Sequence, residues 1–292
     1  VGMGTLDGKV AFVTGGGSGI GRGICERLAA DGADVCVTDV DLDGAEETAA
    51  AVRAAGRRAE VVRLNVASEK GTAEAVERRC AALGRLDVAV ANAGIGRGGS
   101  VLDMTLKDWQ DQVDVNLTGV FLTVQATARK MVALGHGGRI VCMASLAAVS
   151  TGPMTWGYSA TKAGVAMMVR GWAQELGPLG ITVNAIGPGI IETPLARVLA
   201  GEAGGVIRQN VERRTPLGRV GQPSDIAGLV SFLCGPDASF MTGSYLLMDG
   251  GLRDSMGQEL PQPGSEVARE LEEAFAEETA RRARLQPLID ER

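Results

Sequence analysis

Between Lys9 and Gly251 the chain alternates short apolar, β-rich runs with longer stretches of helical periodicity. Few architectures accept that order. KVAFVT (9–14) is almost wholly apolar, as a strand buried on both faces must be. GIGRGICERLAADG (19–32) follows, with Ile20, Ile24 and Leu28 at helical spacing and Gly32 as a stop. The same texture predicts further strands at 34–39, 59–66, 87–91, 139–144, 181–186 and 244–249. It predicts helices at 43–56 and 68–84, two within 105–134, one near 157–177 and one at 223–235. Such alternation implies an α/β fold: a doubly wound parallel sheet of about seven strands, with helices on both faces and right-handed crossovers.

The first strand–helix junction carries TGGGSGIG (14–21). A glycine pattern alone is weak evidence, but this one directly follows a strand and opens a helix. Gly15 allows a tight turn, Gly19 lets backbone approach a pyrophosphate, and Gly21 lets helix and sheet pack closely. The unpaired N–H groups of the helix start then face the phosphates. Asp39 ends the second strand, where a carboxylate meets the adenosine ribose of a dinucleotide. It accepts from both ribose hydroxyls and repels a 2′-phosphate. Neither Ser18 nor Val40 supplies a compensating positive charge, so the expected cofactor is NAD, with NADP less favoured.

GYSATKAG (157–164) places Tyr158 and Lys162 four residues apart, on one helix face. A free phenol has a pKa of about 10, so about one in a thousand is ionised at neutral pH. An ammonium beside it favours the phenolate. The small residues Gly157, Ser159, Ala160 and Gly164 leave room for close helix packing.

Composition removes several alternatives. A net charge of −6 and aromatic content of 3% give no basic, stacking surface for nucleic acid. One histidine, His136, and five cysteines without a C-x-x-C pair offer no metal site and no Ser-His-Asp triad. The thiols are expected reduced and buried. No apolar run reaches membrane-spanning length. The stretch VGMGTLDGK lacks the charged and apolar regions of a secretory signal, and the expected location is cytoplasmic.

These motifs, in this order, resemble the short-chain dehydrogenase/reductase family in its main form of about 250 residues. The resemblance rests on T-G-x-x-x-G-x-G at 14–21, NAG at 92–94, Asn116 in VNLTG, Ser145, Y-x-x-x-K at 158–162, PG at 188–189 and DGG at 249–251. It spans about Leu6 to Gly251 and implies a Rossmann-type fold. It also implies an NAD-dependent enzyme that interconverts a secondary alcohol and a ketone. Tyr158 would be the general acid/base, and Lys162 would hold the nicotinamide ribose. Ser145 would hold the substrate oxygen, and Asn116 would help hold a water chain to solvent. The cofactor set it implies is Gly15, Ser18, Gly19, Ile20, Gly21, Asp39, Asn65, Val66, Asn92, Gly94, Tyr158, Lys162, Pro188, Ile191 and Thr193. Two positions depart from the family's usual residues: Ala91 stands where an asparagine is common, and Asn65 where an aspartate is common. Thr193 reads either as a contact to the nicotinamide carboxamide or phosphate, or as a cap before Pro194.

The loop from about 188 to 216 is long enough to be a substrate lid. Leu146, Met154, Trp156, Ile190 and Leu195 are pocket candidates and suit a partly apolar small molecule. Arg197, Arg208, Arg213 and Arg214 either meet an anionic substrate or are solvated helix charges. The resemblance implies a homotetramer built on the helices around 112–134 and 157–177. Residues 1–252 read as one dinucleotide-binding and catalytic domain, and 253–292 as a linker plus a helical extension. The extension carries ten acidic against six basic residues and an apolar stripe of Val267, Leu271 and Phe275. Either it is a solvated appendage, or its stripe docks on a neighbouring subunit. Two other functions share these residues. One is an NADPH-dependent reductase of 3-oxoacyl groups on a carrier protein. The other is an NAD-binding regulator without turnover.

Overall fold

The computed structural model describes residues 5–203, 205–255 and 264–290. Seven strands form one parallel sheet: β1 (Val10–Thr14), β2 (Asp34–Asp39), β3 (Ala59–Arg63), β4 (Val88–Ala91), β5 (Gly138–Met143), β6 (Ile181–Pro188) and β7 (Tyr245–Met248). Their spatial order is β3-β2-β1-β4-β5-β6-β7. The order in which successive strands are added reverses at the β1/β4 junction, which opens a crevice at the carboxyl ends of those strands.

Each strand alternates its side chains between two apolar layers. Ala11, Val13, Val35, Val37, Val90 and Met143 face one layer. It is closed by α1 (Gly19–Ala30), α2 (Leu42–Ala54) and α9 (Pro223–Cys234). Val10, Phe12, Ala89, Ile140 and Val183 face the other. It is closed by α3 (Glu69–Leu83), α5 (Gly119–Leu134) and α6 (Trp156–Leu176). Burial on both faces explains why these strands read as continuous apolar runs. The expected fold class is the observed one. Cys25, Cys36, Cys142 and Cys234 are free thiols buried within the layers.

Some boundaries differ from the sequence reading. β3 ends at Arg63, so Asn65 and Val66 lie in the turn beyond it. β6 runs on to Pro188, because pairing with β7 continues to its end. The segment expected to hold two helices is α4 (Leu106–Val113) and α5 joined through a π-helical turn, Asp114–Thr118. That turn contains Asn116. A π turn inside a helix re-aims one residue and often marks a functional position.

After β6 the chain makes α7 (Arg197–Ala200) and α8 (Val206–Arg214) before returning to α9. Beyond β7 lies α10 (Glu266–Asp290). α10 packs on α7 and α8 of its own chain, so the stripe expected to meet a neighbouring subunit has a contact in cis. α8 has no side-chain cap of its own. Glu270 Oε2 on α10 accepts from Ile207 N at 3.2 Å, placing a carboxylate at the positive end of α8.

Candidate active site

One cleft at the carboxyl ends of β1, β4, β5 and β6 collects every residue of the expected cofactor set and three of the four expected catalytic residues. Gly15, Ser18, Gly19, Ile20, Gly21 and Asp39 line one end. Asn65, Val66, Asn92 and Gly94 line its side. Ser145, Tyr158, Lys162, Pro188, Ile191 and Thr193 line the other end and the roof. Asn116 is fully buried just behind the wall.

The glycine-rich turn is shaped by close approach as well as by backbone angle. A Cβ on Gly21 would stand 1.9 Å from Gly15 O, so no side chain fits there. Gly15 has φ +64° and abuts Ala93, where a Cβ would come within 2.9 Å of Ala93 Cα. Asn92 Nδ2 donates to Thr14 O at 2.9 Å and to Gly15 O at 3.0 Å. Asn92 is therefore a brace of the turn as well as a wall of the cleft. The helix start and this cradle fit a dinucleotide pyrophosphate.

Asp39 accepts from Gly17 N at 2.9 Å and from Asp41 N at 3.0 Å, one on each oxygen. Burial pushes its carboxyl up from the usual range, and those N–H donors pull against burial. The nearby cation that sequence reading missed is Arg22. Its guanidinium binds Gly17 O at 2.9 Å and Glu47 at 2.7 Å. Glu47 on α2 thus pairs with Arg22 across the two helices. Nothing local in the sequence ties Arg22 to Glu47, which is 25 residues away on α2.

At the chemical end, Tyr158 and Lys162 share one face of α6, and Ser145 closes the group from the end of β5. Lys162 is 2% exposed. Its Nζ donates to Met143 O at 2.8 Å and lies 5.7 Å from the centre of the Tyr158 ring. Burial lowers its pKa to about 8. Burial also pushes the Tyr158 phenol up, and a hydrogen bond with the Ser145 hydroxyl pulls it back. Among the protein's own groups, burial thus prevails over the Ser145 hydrogen bond at the phenol. The ammonium is aimed at the Met143 carbonyl.

Ser145 is fixed twice. Its Oγ accepts from Ala147 N at 3.1 Å. Its carbonyl accepts from the Tyr245 hydroxyl at 2.6 Å. Tyr245, on β7, is the second tyrosine of the chain and was absent from the sequence reading. Its sole sequence signal is a phenol in an otherwise aliphatic strand. Asn116 clamps the loop after β4: Oδ1 accepts from Ile95 N at 2.8 Å, and Nδ2 donates to Ile95 O at 2.8 Å. Nδ2 also donates to Thr161 Oγ1 at 3.3 Å.

Thr193 is a cap and also lines the cleft. Its hydroxyl accepts from Ala196 N at 3.2 Å, capping the turn before α7. Its methyl would meet a Cβ on Gly19 at 3.0 Å, so it also closes over the phosphate turn. Of the pocket candidates, Leu195 lines the cleft. Ile190 packs instead with Ala200, Val211 and Val220. Trp156 stacks on Trp109 with ring centres 5.7 Å apart. Arg208 is held by Glu192 at 2.7 Å and Glu212 at 2.8 Å, which makes it a structural charge. Among the described residues no cluster of His, Cys, Asp and Glu is disposed to hold a metal, and no helix is long and apolar enough to cross a membrane.

A glycine cradle at the switch point of a parallel sheet, with a polar Ser–Tyr–Lys group at the cleft's far end, defines a dinucleotide-dependent oxidoreductase. Comparison with known proteins narrows that class. A family profile described as enoyl-(acyl carrier protein) reductase matches residues 15–253. The L-2,3-butanediol dehydrogenase of Corynebacterium glutamicum is 40% identical over 253 residues, covering 84% of this chain and 98% of that one. The 3-oxoacyl-(acyl-carrier-protein) reductase FabG of Aquifex aeolicus is 39% identical, covering 85% and 98%. The crystal structure of carveol dehydrogenase from Mycobacterium avium in complex with NAD superposes with a TM-score of 0.81 at 33% identity, over 85% of this chain and 99% of that one. The chain belongs to the short-chain dehydrogenase/reductase family. It is an oxidoreductase of CH–OH groups.

Proposed function

We propose that this protein is an NAD(H)-dependent dehydrogenase that interconverts a small, partly apolar secondary alcohol and its ketone. The observation that carries the reading is one cleft with Asp39 at the adenosine end and Ser145, Tyr158 and Lys162 at the other. NAD⁺, when bound, supplies the hydride acceptor and a positive charge beside the phenol. Gly15, Ser18, Gly19, Ile20 and Gly21 hold the pyrophosphate, and Asp39 accepts from the ribose hydroxyls. Asn65, Val66, Asn92, Gly94, Pro188, Ile191 and Thr193 wall the dinucleotide.

Ala147 N–H occupies one lone pair of Ser145 Oγ, leaving the hydroxyl to bind the substrate oxygen. Tyr158 takes the proton from the substrate hydroxyl as the carbinol hydrogen leaves as hydride. In the reverse direction it returns that proton. Lys162 steers the nicotinamide ribose and stabilises the phenolate. Asn116 keeps Gly94 and Ile95 at the cleft wall. The balance is alcohol plus NAD⁺ to ketone, NADH and a proton. The helices α5 and α6 are the faces for assembly into a homotetramer, and the protein acts in the cytoplasm.

The test is a pair of dissociation constants, for NADH and NADPH, together with turnover of secondary alcohols followed by NADH absorbance. NADH is expected to bind at least tenfold tighter. Tighter NADPH binding overturns the cofactor assignment. It would favour the carrier-bound 3-oxoacyl reductase reading, for which the 39% identity to FabG speaks.

A further inference from the structure

The segment after β4 reads GIGRGG, residues 94–99. It runs as an extended strip pinned along one edge. Ile95 N donates to Asn116 Oδ1 at 2.8 Å, Arg97 N to Gln112 Oε1 at 3.1 Å, and Gly99 N to Met154 O at 3.0 Å. Alternate residues of an extended strip point the same way. The three alternate positions Gly94, Gly96 and Gly98 have no side chains, and their backbone angles are ordinary. Space, not left-handed geometry, is what glycine provides here.

What occupies that space changes along the strip. A Cβ on Gly94 would meet Asn116 Oδ1 at 3.3 Å and Lys162 Nζ at 3.5 Å. One on Gly96 would meet Leu195 Cδ1 of the lid loop at 3.6 Å. One on Gly98 would meet the Phe275 ring of α10 at 2.9 Å. The glycine strip thus leads from the catalytic lysine, past the lid, to the C-terminal helix. α10 is held at that place by a second, polar contact, Glu270 to the start of α8.

We infer that α10 is a substrate-size filter folded back in cis, with Phe275 as a specificity-determining residue that closes the outer end of the substrate groove over Gly98. This rests on the alcohol–ketone reading of the cleft. A bare floor of glycines would admit a wide range of substituents on the carbinol carbon. Leu195 and Phe275 narrow it from above with apolar surface. The selected substrates are secondary alcohols and ketones with compact, uncharged substituents.

The experiment compares parent, Phe275→Ala and Gly98→Val in the full-length protein, across 2-propanol, 2-butanol, 2-octanol and cyclohexanol with NAD⁺. Phe275→Ala is expected to raise kcat/KM for 2-octanol relative to 2-butanol by about tenfold, the scale of a methylene-sized change in an apolar pocket. The NADH dissociation constant stays unchanged. Gly98→Val crowds the ring and shifts the same ratio. Combining it with Phe275→Ala refills the space and restores part of the parental ratio, a non-additivity expected of residues in contact. An unchanged size ratio in both single variants overturns the filter.

Hydrogen exchange of residues 95–99 and 205–210 provides a readout that needs no turnover. Phe275→Ala is expected to speed exchange in both segments, and unchanged protection overturns the cap whatever the substrate. Faster exchange in Phe275→Ala, with a parent enzyme that oxidises none of the four alcohols, upholds the cap and sinks the alcohol reading instead.

Discussion

The two ends of the sheet treat charge in opposite ways. At the amino end, Asp87 precedes β4 and meets Val10 N at 3.0 Å, Lys9 at 3.3 Å and Arg85 at 2.6 Å. Burial alone would raise its carboxyl. The Arg85 guanidinium, the Val10 N–H and Lys9 outweigh burial and hold it below the usual range. Asp34, at the start of β2, is similarly met by Arg58 at 2.8 Å. At the carboxyl end, Asp39 has only backbone donors, and burial wins. Lys162 faces a carbonyl, and Tyr158 is raised. Charges compensated within the chain hold the strands together. Polar groups that are incompletely compensated from within are disposed for a ligand, and they cost stability while they wait.

Breaking the carboxyl end should abolish chemistry with little effect on folding. Tyr158→Phe removes only the proton carrier, and kcat should fall by about 10²–10⁴-fold. The thermal midpoint should stay within a degree or so of the parent, because the ring and its packing remain. Residual activity within fivefold of the parent would show that the proton travels by another route.

Next in size is Asp39→Ser. Losing the carboxylate should weaken NADH binding by about ten- to a hundredfold, the worth of one or two charge-assisted hydrogen bonds. NADPH binding should weaken less or improve. An equal loss for both cofactors would mean that Asp39 serves the glycine turn alone, through Gly17 N.

The amino end should behave in reverse. Asp87→Asn keeps the shape but loses the charge that Arg85 and Lys9 surround. It should cost about 1–3 kcal/mol in denaturant unfolding, with KM for NAD⁺ unchanged. The sign with pH follows from the lowered carboxyl. Its stabilisation is complete above the unfolded carboxylate range and is lost as pH falls through the folded pKa. Asp87→Asn should therefore flatten the acid limb of the stability profile, and parallel limbs would contradict it.

The smallest effect is a pH turn in catalysis. Lys162 has its pKa lowered to about 8, so it loses its charge above that pH. The kcat/KM for ketone reduction should decline as pH passes about 8, while Tyr158, raised by burial, still carries its proton. A flat profile to strongly alkaline pH would separate Lys162 from the chemistry. For stability the sign is the same as Asp87's, because both groups have their pKa lowered on folding and stability rises with pH through each window. A base lowered in the folded state destabilises while charged, and that cost disappears as pH rises from about 8 toward the ordinary lysine range.

Much of the site was legible because its chemistry is local. Gly15, Gly19 and Gly21 lie within one turn, Tyr158 and Lys162 within one helical repeat, and Asp39 at a strand end that the apolar pattern marks. The less legible parts are long-range closures. Tyr245 reaches Ser145 across a separation of 100 residues. Arg22 reaches Glu47 between neighbouring helices, and Asn116 turns inward on a π-helical turn that periodicity does not announce. The direction of the Tyr158 shift also escaped sequence reading. Spacing shows that an ammonium is near, but not how dry the pocket is or which acceptor the ammonium chooses.

The sequence by itself determined the order of strands and helices, the glycine turn and most of the polar groups that meet in the cleft. Each depends on periodicity or on steric demands within a few residues, and those survive in a one-dimensional string. The tertiary structure decided which charges are neutralised, how far burial moves each proton, and where the last helix lies. Those quantities depend on dielectric environment and on contacts between distant segments. Phe275 is one apolar letter in a helical stripe until folding sets its ring against Gly98.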